Sequence, residues 1–345
     1  MAKLYGKELT RKEILGFTGN ISQVANISEV EIQNGKARGM RAYQVKSPSG
    51  LSFDILPDKC LDIGSLSYKG ININFQTKNG QVASTYAYPV GGEFDRYFAG
   101  GMIMTCGLKN TGGDFTDETG HYQSVHGRLA NTPCESSGYK AYWDGDEYVL
   151  SAYGRARDSQ MEGHNLMLER TIETSLSTAK ITITDVVSNQ DLNPEDYLLL
   201  YHINFGWPFI SADTVLKLPE EQKPIIARTE HAEEDRENMY TFAPVTPDAV
   251  ETVYFHHPVS DEEGNVSCRI ENPALGIGVE ICYNNKYLPV LTQWNSLKFG
   301  ELVLGVEPGN SYINGMEQSK KDGMAATLEG LEEHKVTLSL EFYEL

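Results

Sequence analysis

Basic side chains are scarce in this chain, and so are long helical patterns, paired cysteines and extended apolar runs. Only 29 Lys and Arg stand against 48 Asp and Glu, a formal net charge of −19. Proteins that bind nucleic acid or anionic membranes draw most of their affinity from cations neutralising phosphates, so neither partner is expected here. The five cysteines, Cys60, Cys106, Cys134, Cys268 and Cys282, are odd in number, widely spaced and never in a C-x-x-C pair. Free thiols in a reducing compartment follow, without a disulfide framework. The longest apolar run, Tyr197 to Ile210, is interrupted by His202 and Asn204 and is too short to span a bilayer. Met1 to Lys7 has no apolar h-region of a signal peptide, so the expected location is cytoplasmic. No phosphate-cradling G-x-x-x-x-G-K-[S/T] pattern occurs, and there is no internal repeat.

What is present is alternation with period two. Val336, Leu338, Leu340 and Phe342 alternate with polar neighbours, as do Val266, Cys268 and Ile270. A third set, Leu275, Ile277, Val279, Ile281 and Tyr283, follows the Asn272-Pro273 turn signal. Further strands are expected at 51–56, 147–155, 166–176, 179–187, 196–205, 288–294 and 301–307. One short helix is expected where Thr10-Arg11-Lys12-Glu13 forms a capping box ahead of Ile14, Leu15 and Phe17. Residues 91–120, with eight glycines, read as loops and turns. Residues 219–248, rich in charge and proline, read as a solvated excursion from a sheet. The expectation is an all-β chain, one domain over 1–345, built as a large antiparallel β-sandwich (a supersandwich) with few short helices.

Three segments interrupt apolar strand sequence with titratable residues. In Tyr201-His202-Ile203-Asn204-Phe205, His202 and Asn204 lie two apart and share one face of a strand, a pair set to face a cleft. In Val306-Glu307-Pro308-Gly309, a carboxylate ends an apolar run, and the proline closes the strand there. Such a glutamate beside a histidine suits proton transfer, which needs a group within hydrogen-bond reach and a pKa near the working pH. In His126-Gly127-Arg128, glycine admits close approach of a ligand, and the flanking side chains donate or accept hydrogen bonds. Singly, each segment is as well explained by a hydrogen-bonded core histidine, a solvated glutamate or a surface loop.

In combination these segments resemble the galactose mutarotase (aldose 1-epimerase) superfamily. His-Gly at 126–127, Tyr-His-x-Asn-Phe at 201–205 and Val-Glu-Pro at 306–308 follow its order, with spacings of 76 residues (126 to 202) and 105 residues (202 to 307). The nearest likeness is to a bacterial branch with Leu56-Pro57-Asp58-Lys59-Cys60-Leu61-Asp62-Ile63-Gly64 and a Gly-Gly-x-x-x-Thr-Cys-Gly-Leu stretch, here 100–108. The resemblance covers about 40–345. It implies a sugar substrate, Glu307 as general base, His202 as general acid and His126 assisting at the substrate oxygens. It implies no metal and no organic cofactor, and a homodimer is compatible with it. Arg128, Asn204, Arg96, Lys59, Asp58, Trp294 and Gln293 are the expected sugar-binding residues. The chain departs from the family at Val253-Tyr254-Phe255-His256-His257-Pro258, where Phe255 replaces a sugar-binding aspartate. Rival readings are a non-catalytic carbohydrate-binding or sensing protein on the same fold, a metal-dependent isomerase of another β fold using His121, His126, His256 and His257, and a lyase or glycoside hydrolase, the second carboxylate that hydrolysis needs coming from Asp58 or Asp62.

Overall fold

The structure is a computed structural model describing residues 1–345 apart from 89, 118 and 119. Strand makes up 49% and helix 12% of it, which settles the class as an all-β sandwich with few short helices. The helix Arg11–Phe17 forms where its capping box stands: Thr10 accepts from the Glu13 amide at 3.3 Å, and the Glu13 carboxylate accepts from the Thr10 amide at 2.7 Å.

The largest sheet has eight antiparallel strands, in the order Ser136–Asp144, Glu147–Ser159, Asn165–Ser175, Lys180–Asn189, Glu333–Glu344, Ile277–Asn284, Asn265–Asn272 and Val215–Lys217. Its centre is the C-terminal strand. There Val336, Leu338, Leu340 and Phe342 point into the core, in register with the inward residues Ile181, Ile183, Val279 and Ile281. A five-stranded sheet from Asn26–Glu31 to Ile71–Asn72 adds Tyr43, Phe53 and Ile63 to the same core.

The seven-stranded sheet that faces this core carries the site. Its strands, in chain order, are β1 (Ile103–Leu108), β2 (Glu195–Gly206), β3 (Ile226–Ala227), β4 (Thr252–His256), β5 (Val290–Lys298), β6 (Glu301–Gly309) and β7 (Ala326–Leu328). They run β3-β4-β5-β6-β2-β7, and β1 also pairs with β2. One face, with Tyr201, Ile203, Phe205, Leu304 and Val306, belongs to the main core. The other carries a smaller apolar cluster of Met104, Cys106, Leu200, Val253 and Phe255, roofed by Phe94, Phe98 and Ile313. Because β2 is buried on both faces, its sequence is apolar without alternation.

Two local expectations are corrected. The glycine-rich stretch contains β1, fully buried, which shows no alternation for the reason that holds for β2. Gly107 within it has φ 129°, and a Cβ there would lie 2.2 Å from the Leu198 carbonyl oxygen, so the glycine serves strand packing. Nor does Pro308 end β6. Leu291 pairs with Pro308 and Val290 with Gly309, so Glu307 lies inside the strand.

Candidate functional site

Register brings the two central residues together. Leu200 pairs with Gly309 and Ile203 with Val306, which sets His202 across from Glu307 on the outer face of the sheet. Glu307 in turn pairs with Thr292, and Trp294 with Gly305, so β5 adds an indole to the same face. The His202 Nδ1 and Glu307 Oε1 atoms are 3.4 Å apart, with the residues 6% and 1% exposed. That is closer than the ~5–8 Å a donor and an acceptor on either side of one sugar carbon and oxygen would suggest. The imidazole's other nitrogen, Nε2, lies farther round the ring.

Asn204 is not a wall of the cleft. Its amide donates to the Gly101 and His202 carbonyl oxygens at 3.2 and 3.0 Å, which fixes its own oxygen toward His202 Nδ1 at 2.5 Å. Nδ1–H is thereby committed to Asn204. Glu307 Oε1 stays buried without a hydrogen-bond donor despite its nearness to the imidazole. Neutral His202 thus turns a bare Nε2 acceptor outward, and protonation makes that atom a donor.

Glycine makes the space for the carboxyl group. A Cβ on Gly305 would lie 2.3 Å from Glu307 Oε1 and 3.1 Å from Trp294 Cβ. His126 enters from its loop in the left-handed conformation, φ 56°. The next residue, Gly127, allows this, since a Cβ there would lie 2.2 Å from the Gly107 carbonyl oxygen. His126 Nδ1 accepts from the Gly112 amide at 3.3 Å, so its neutral form carries the proton on Nε2. The His126 and His202 rings meet edge-on at 5.6 Å, Trp294 meets His202 at 5.2 Å, and Phe98 lies 5.7 Å from His202. Together they enclose a cavity of about 280 Å³, close to the lower end of ordinary small-ligand sites.

Burial sets the protonation. It pushes Glu307 well above the usual carboxylate range, helped by nearby Glu251 and opposed by Arg228. It lowers His202 to about 4, against the hydrogen bond to Asn204. His126 falls to about 3 through burial, then the charges of His202 and Arg228. Both shifts favour the uncharged forms, a neutral acid beside a neutral imidazole. The pair's two arrangements, neutral acid with neutral imidazole or carboxylate with imidazolium, have equal net charge, so proton exchange between them leaves the cavity's charge unchanged.

Arg228 and Glu251 line this cavity and lie outside the expected set. Arg228 follows edge strand β3, and its amide donates to the Val253 carbonyl at 2.9 Å, placing the residue beside the outer face of the sheet. The Glu251 carboxylate accepts from Trp294 Nε1 at 2.8 Å. No local pattern singles out Arg228 within a charge-rich stretch.

The remaining expected residues lie elsewhere. Gln293 is on the opposite face of β5 from Trp294, donating to the Met239 carbonyl at 2.6 Å. Asp58 is paired with Arg41 at 2.6 Å, and Arg96, exposed, with Glu93 at 3.2 Å. Arg128, also exposed, reaches the Tyr122 carbonyl at 3.4 Å. Lys59 is buried, donates to Asn131 at 2.7 Å and is lowered by burial to about 8. It lines a separate hollow of about 30 Å³ behind Phe94 and Phe98. Among the described residues, no group of three or more His, Cys, Asp and Glu is placed to hold a metal ion.

A family model described as "Domain of unknown function (DUF4432)" matches residues 37–342. The chain belongs to that family. No curated protein matches it. Among solved structures, a Klebsiella pneumoniae protein provisionally named an aldose 1-epimerase superposes with a TM-score of 0.86 at 22% identity, covering 92% of this chain and 83% of that one. A galactose mutarotase-like protein from Clostridium acetobutylicum gives 0.63 at 16% identity, over 94% and 100%. A galactose 1-epimerase from Lactobacillus acidophilus gives 0.59 at 10%, over 93% and 99%. These likenesses show that this DUF4432 member has the galactose mutarotase-like fold.

Proposed function

We propose that this protein interconverts the anomers of a reducing sugar by acid–base ring opening and closure. The observation that carries the reading is the buried His202–Glu307 pair, one carboxyl oxygen lacking any donor, at the wall of a sugar-sized cavity beside Trp294 and His126. A carboxyl group kept dry and unsatisfied costs stability, and proton transfer to substrate is a use that offsets the cost.

Opening needs an acceptor for the anomeric hydroxyl proton and a donor for the ring oxygen. Glu307 as carboxylate takes the first proton while imidazolium His202 delivers the second through Nε2, and the C1–O5 bond breaks to give the free aldehyde. Rotation about the C1–C2 bond turns the other carbonyl face inward. Closure reverses both transfers and restores the starting protonation. His126, with its proton on Nε2, donates to a substrate oxygen, and the Trp294 indole offers a flat apolar face to the ring. The mechanism consumes no cofactor, because every proton taken is returned.

Glu307→Gln keeps the shape and removes the proton acceptor. Its kcat/KM for anomer exchange, read by NMR across free aldoses, ketoses and deoxysugars, is expected to fall at least ~10²-fold. Retention of more than about a tenth of the wild-type value would assign the base to another group.

A further inference from the structure

The outer face of the sheet carries one row of side chains across five strands. Register sets Phe255 of β4 beside Thr292 of β5, Thr292 beside Glu307 of β6, and His202 of β2 beside Met104 of β1. Glu307 therefore has His202 on one side and Thr292 on the other. Two polar atoms of this row are buried without a partner: Glu307 Oε1, an acceptor, and the Thr292 hydroxyl, which can donate. Both residues are sealed, at 1% and 0% exposure. Directly opposed residues of an antiparallel pair hold their Cβ atoms about 4.5–5.5 Å apart, within reach of a hydroxyl and a carboxylate.

A base spends part of its cycle as a carboxylate, and burial opposes that charge. Donors would offset the opposition, yet the neighbouring ones are committed. His202 Nδ1 holds Asn204, and the Asn204 amide donates to two carbonyl oxygens. Trp294 Nε1 donates to Glu251, and the Cys106 thiol points to the Met104 carbonyl at 3.8 Å. Glu251 and Arg228 act on Glu307 through charge alone, in opposite senses. His126 and Asp95 face the same cavity from the loop and the helix above it. On its far side Thr292 meets the Phe255 ring, which offers no polar atom. Thr292 is thus the uncommitted donor of the row.

We propose that Thr292 is a positioning residue for the base: its hydroxyl turns to Glu307 Oε1 and donates to the carboxylate once the carboxyl proton has left. Thr292 is not among the residues lining the cavity, so it acts through Glu307 and not on the sugar. The consequence for turnover rests on the anomerase reading, whereas the hydrogen bond does not.

The test is titration of the Glu307 carboxyl carbon by carbon-13 NMR, its signal identified by loss in E307Q, alongside the pH profile of anomer exchange. T292V removes the hydroxyl and keeps the shape, and T292S keeps the hydroxyl. Loss of a donor to a charged acceptor should raise the Glu307 midpoint by about one unit or more in T292V, with T292S within about 0.3 unit of wild type. The alkaline limb of kcat/KM, where the pair loses its proton, should rise by the same amount. The acid limb, set by His202, and KM should stay. T292A replaces T292V if the buried valine does not fold. A midpoint that is unchanged, that falls (the mark of a hydroxyl accepting from the neutral acid), or that rises equally in T292S would overturn the proposal. A raised midpoint in a protein without anomer exchange would refute the catalytic reading alone. Exchange that depends on Glu307, with a midpoint indifferent to T292V, would refute the role of Thr292 alone.

Discussion

Tyr201 and His202 are neighbours on β2, and between them the chain passes from one buried polar cluster to another of opposite design. Behind the strand, Arg170, 2% exposed, donates to both Asp185 oxygens at 2.8 and 2.6 Å, to Asp62 at 2.8 Å and to the Thr105 hydroxyl at 2.8 Å. The Tyr201 hydroxyl and the Thr105 amide and hydroxyl supply further donors to the two aspartates. Every carboxylate oxygen in that cluster has a hydrogen-bond donor. In front of the strand, Glu307 Oε1 has no donor, Thr292 Oγ1 beside it has no partner, and His202 leaves Nε2 open. A saturated network holds β1, β2 and the eight-stranded sheet in one arrangement, whereas an unsaturated one leaves polar atoms without partners. The rear cluster also removes Asp62 as a second carboxylate for hydrolysis, since both its oxygens are engaged.

This contrast can be broken most severely from behind. Arg170→Met leaves Asp62 and Asp185 buried and unpaired, with an expected loss of about 3–5 kcal/mol in urea unfolding. Replacing both aspartates by leucine together with Arg170→Met is expected to cost less than Arg170→Met alone. Equal or greater loss in the triple variant would mean that the ion pairs themselves, and not the uncompensated charges, dominate.

In front, removing a charge should have the opposite sign. The folded pKa of Glu307 lies above its unfolded value, so its proton stabilises the fold below about pH 4.5, and this contribution is lost as pH rises through the folded pKa. Glu307→Gln removes that dependence. It is expected to melt higher than wild type by the equivalent of ~1–2 kcal/mol, with the gap widening from pH 5 to pH 9. A gap that stays constant with pH would place the carboxyl group in a less restrictive environment than its burial indicates.

The smallest effect belongs to the histidines. His202 at about 4 and His126 at about 3 both titrate below an unfolded histidine near 6.5. The unfolded chain takes up protons first as pH falls, so the stability these groups contribute is present above about 6.5 and is lost on going down toward 4 and 3. His126→Asn should flatten that acid slope by ~1 kcal/mol, measured as unfolding free energy from pH 7 to 4. An unchanged slope would mean that other groups account for it.

Six strands of the eight-stranded sheet were legible because they bury one face and alternate, as at Val336 to Phe342, whereas Ser136–Asp144, which buries none of its residues, and the three-residue Val215–Lys217 were not among the expected strands. The segment 100–108 was misread because a strand buried on both faces does not alternate, and its glycines look like turn residues. His202 and Glu307 were recognisable as titratable residues in apolar strands. The role of Asn204 was not, because a side chain two residues along a strand shares a face without necessarily reaching the solvent. It binds the back of the imidazole instead. Gln293, Asp58 and Lys59 carry chemistry suited to sugars but find partners that sequence distance hides, while Arg96 and Arg128 are exposed and held by the nearby Glu93 and Tyr122 carbonyl.

Residue type and alternation, which act over a few positions, were enough to specify an all-β chain with one acid and one base inside its strands. Which strand lies beside which was decided by long-range packing: β2 against β6 set His202 across from Glu307. The edge strand β3 turned Arg228, drawn from a stretch that reads as solvated, toward the cavity, and the packing of Phe94 and Phe98 over the sheet closed it. Dryness at Glu307 exists only once those distant segments meet.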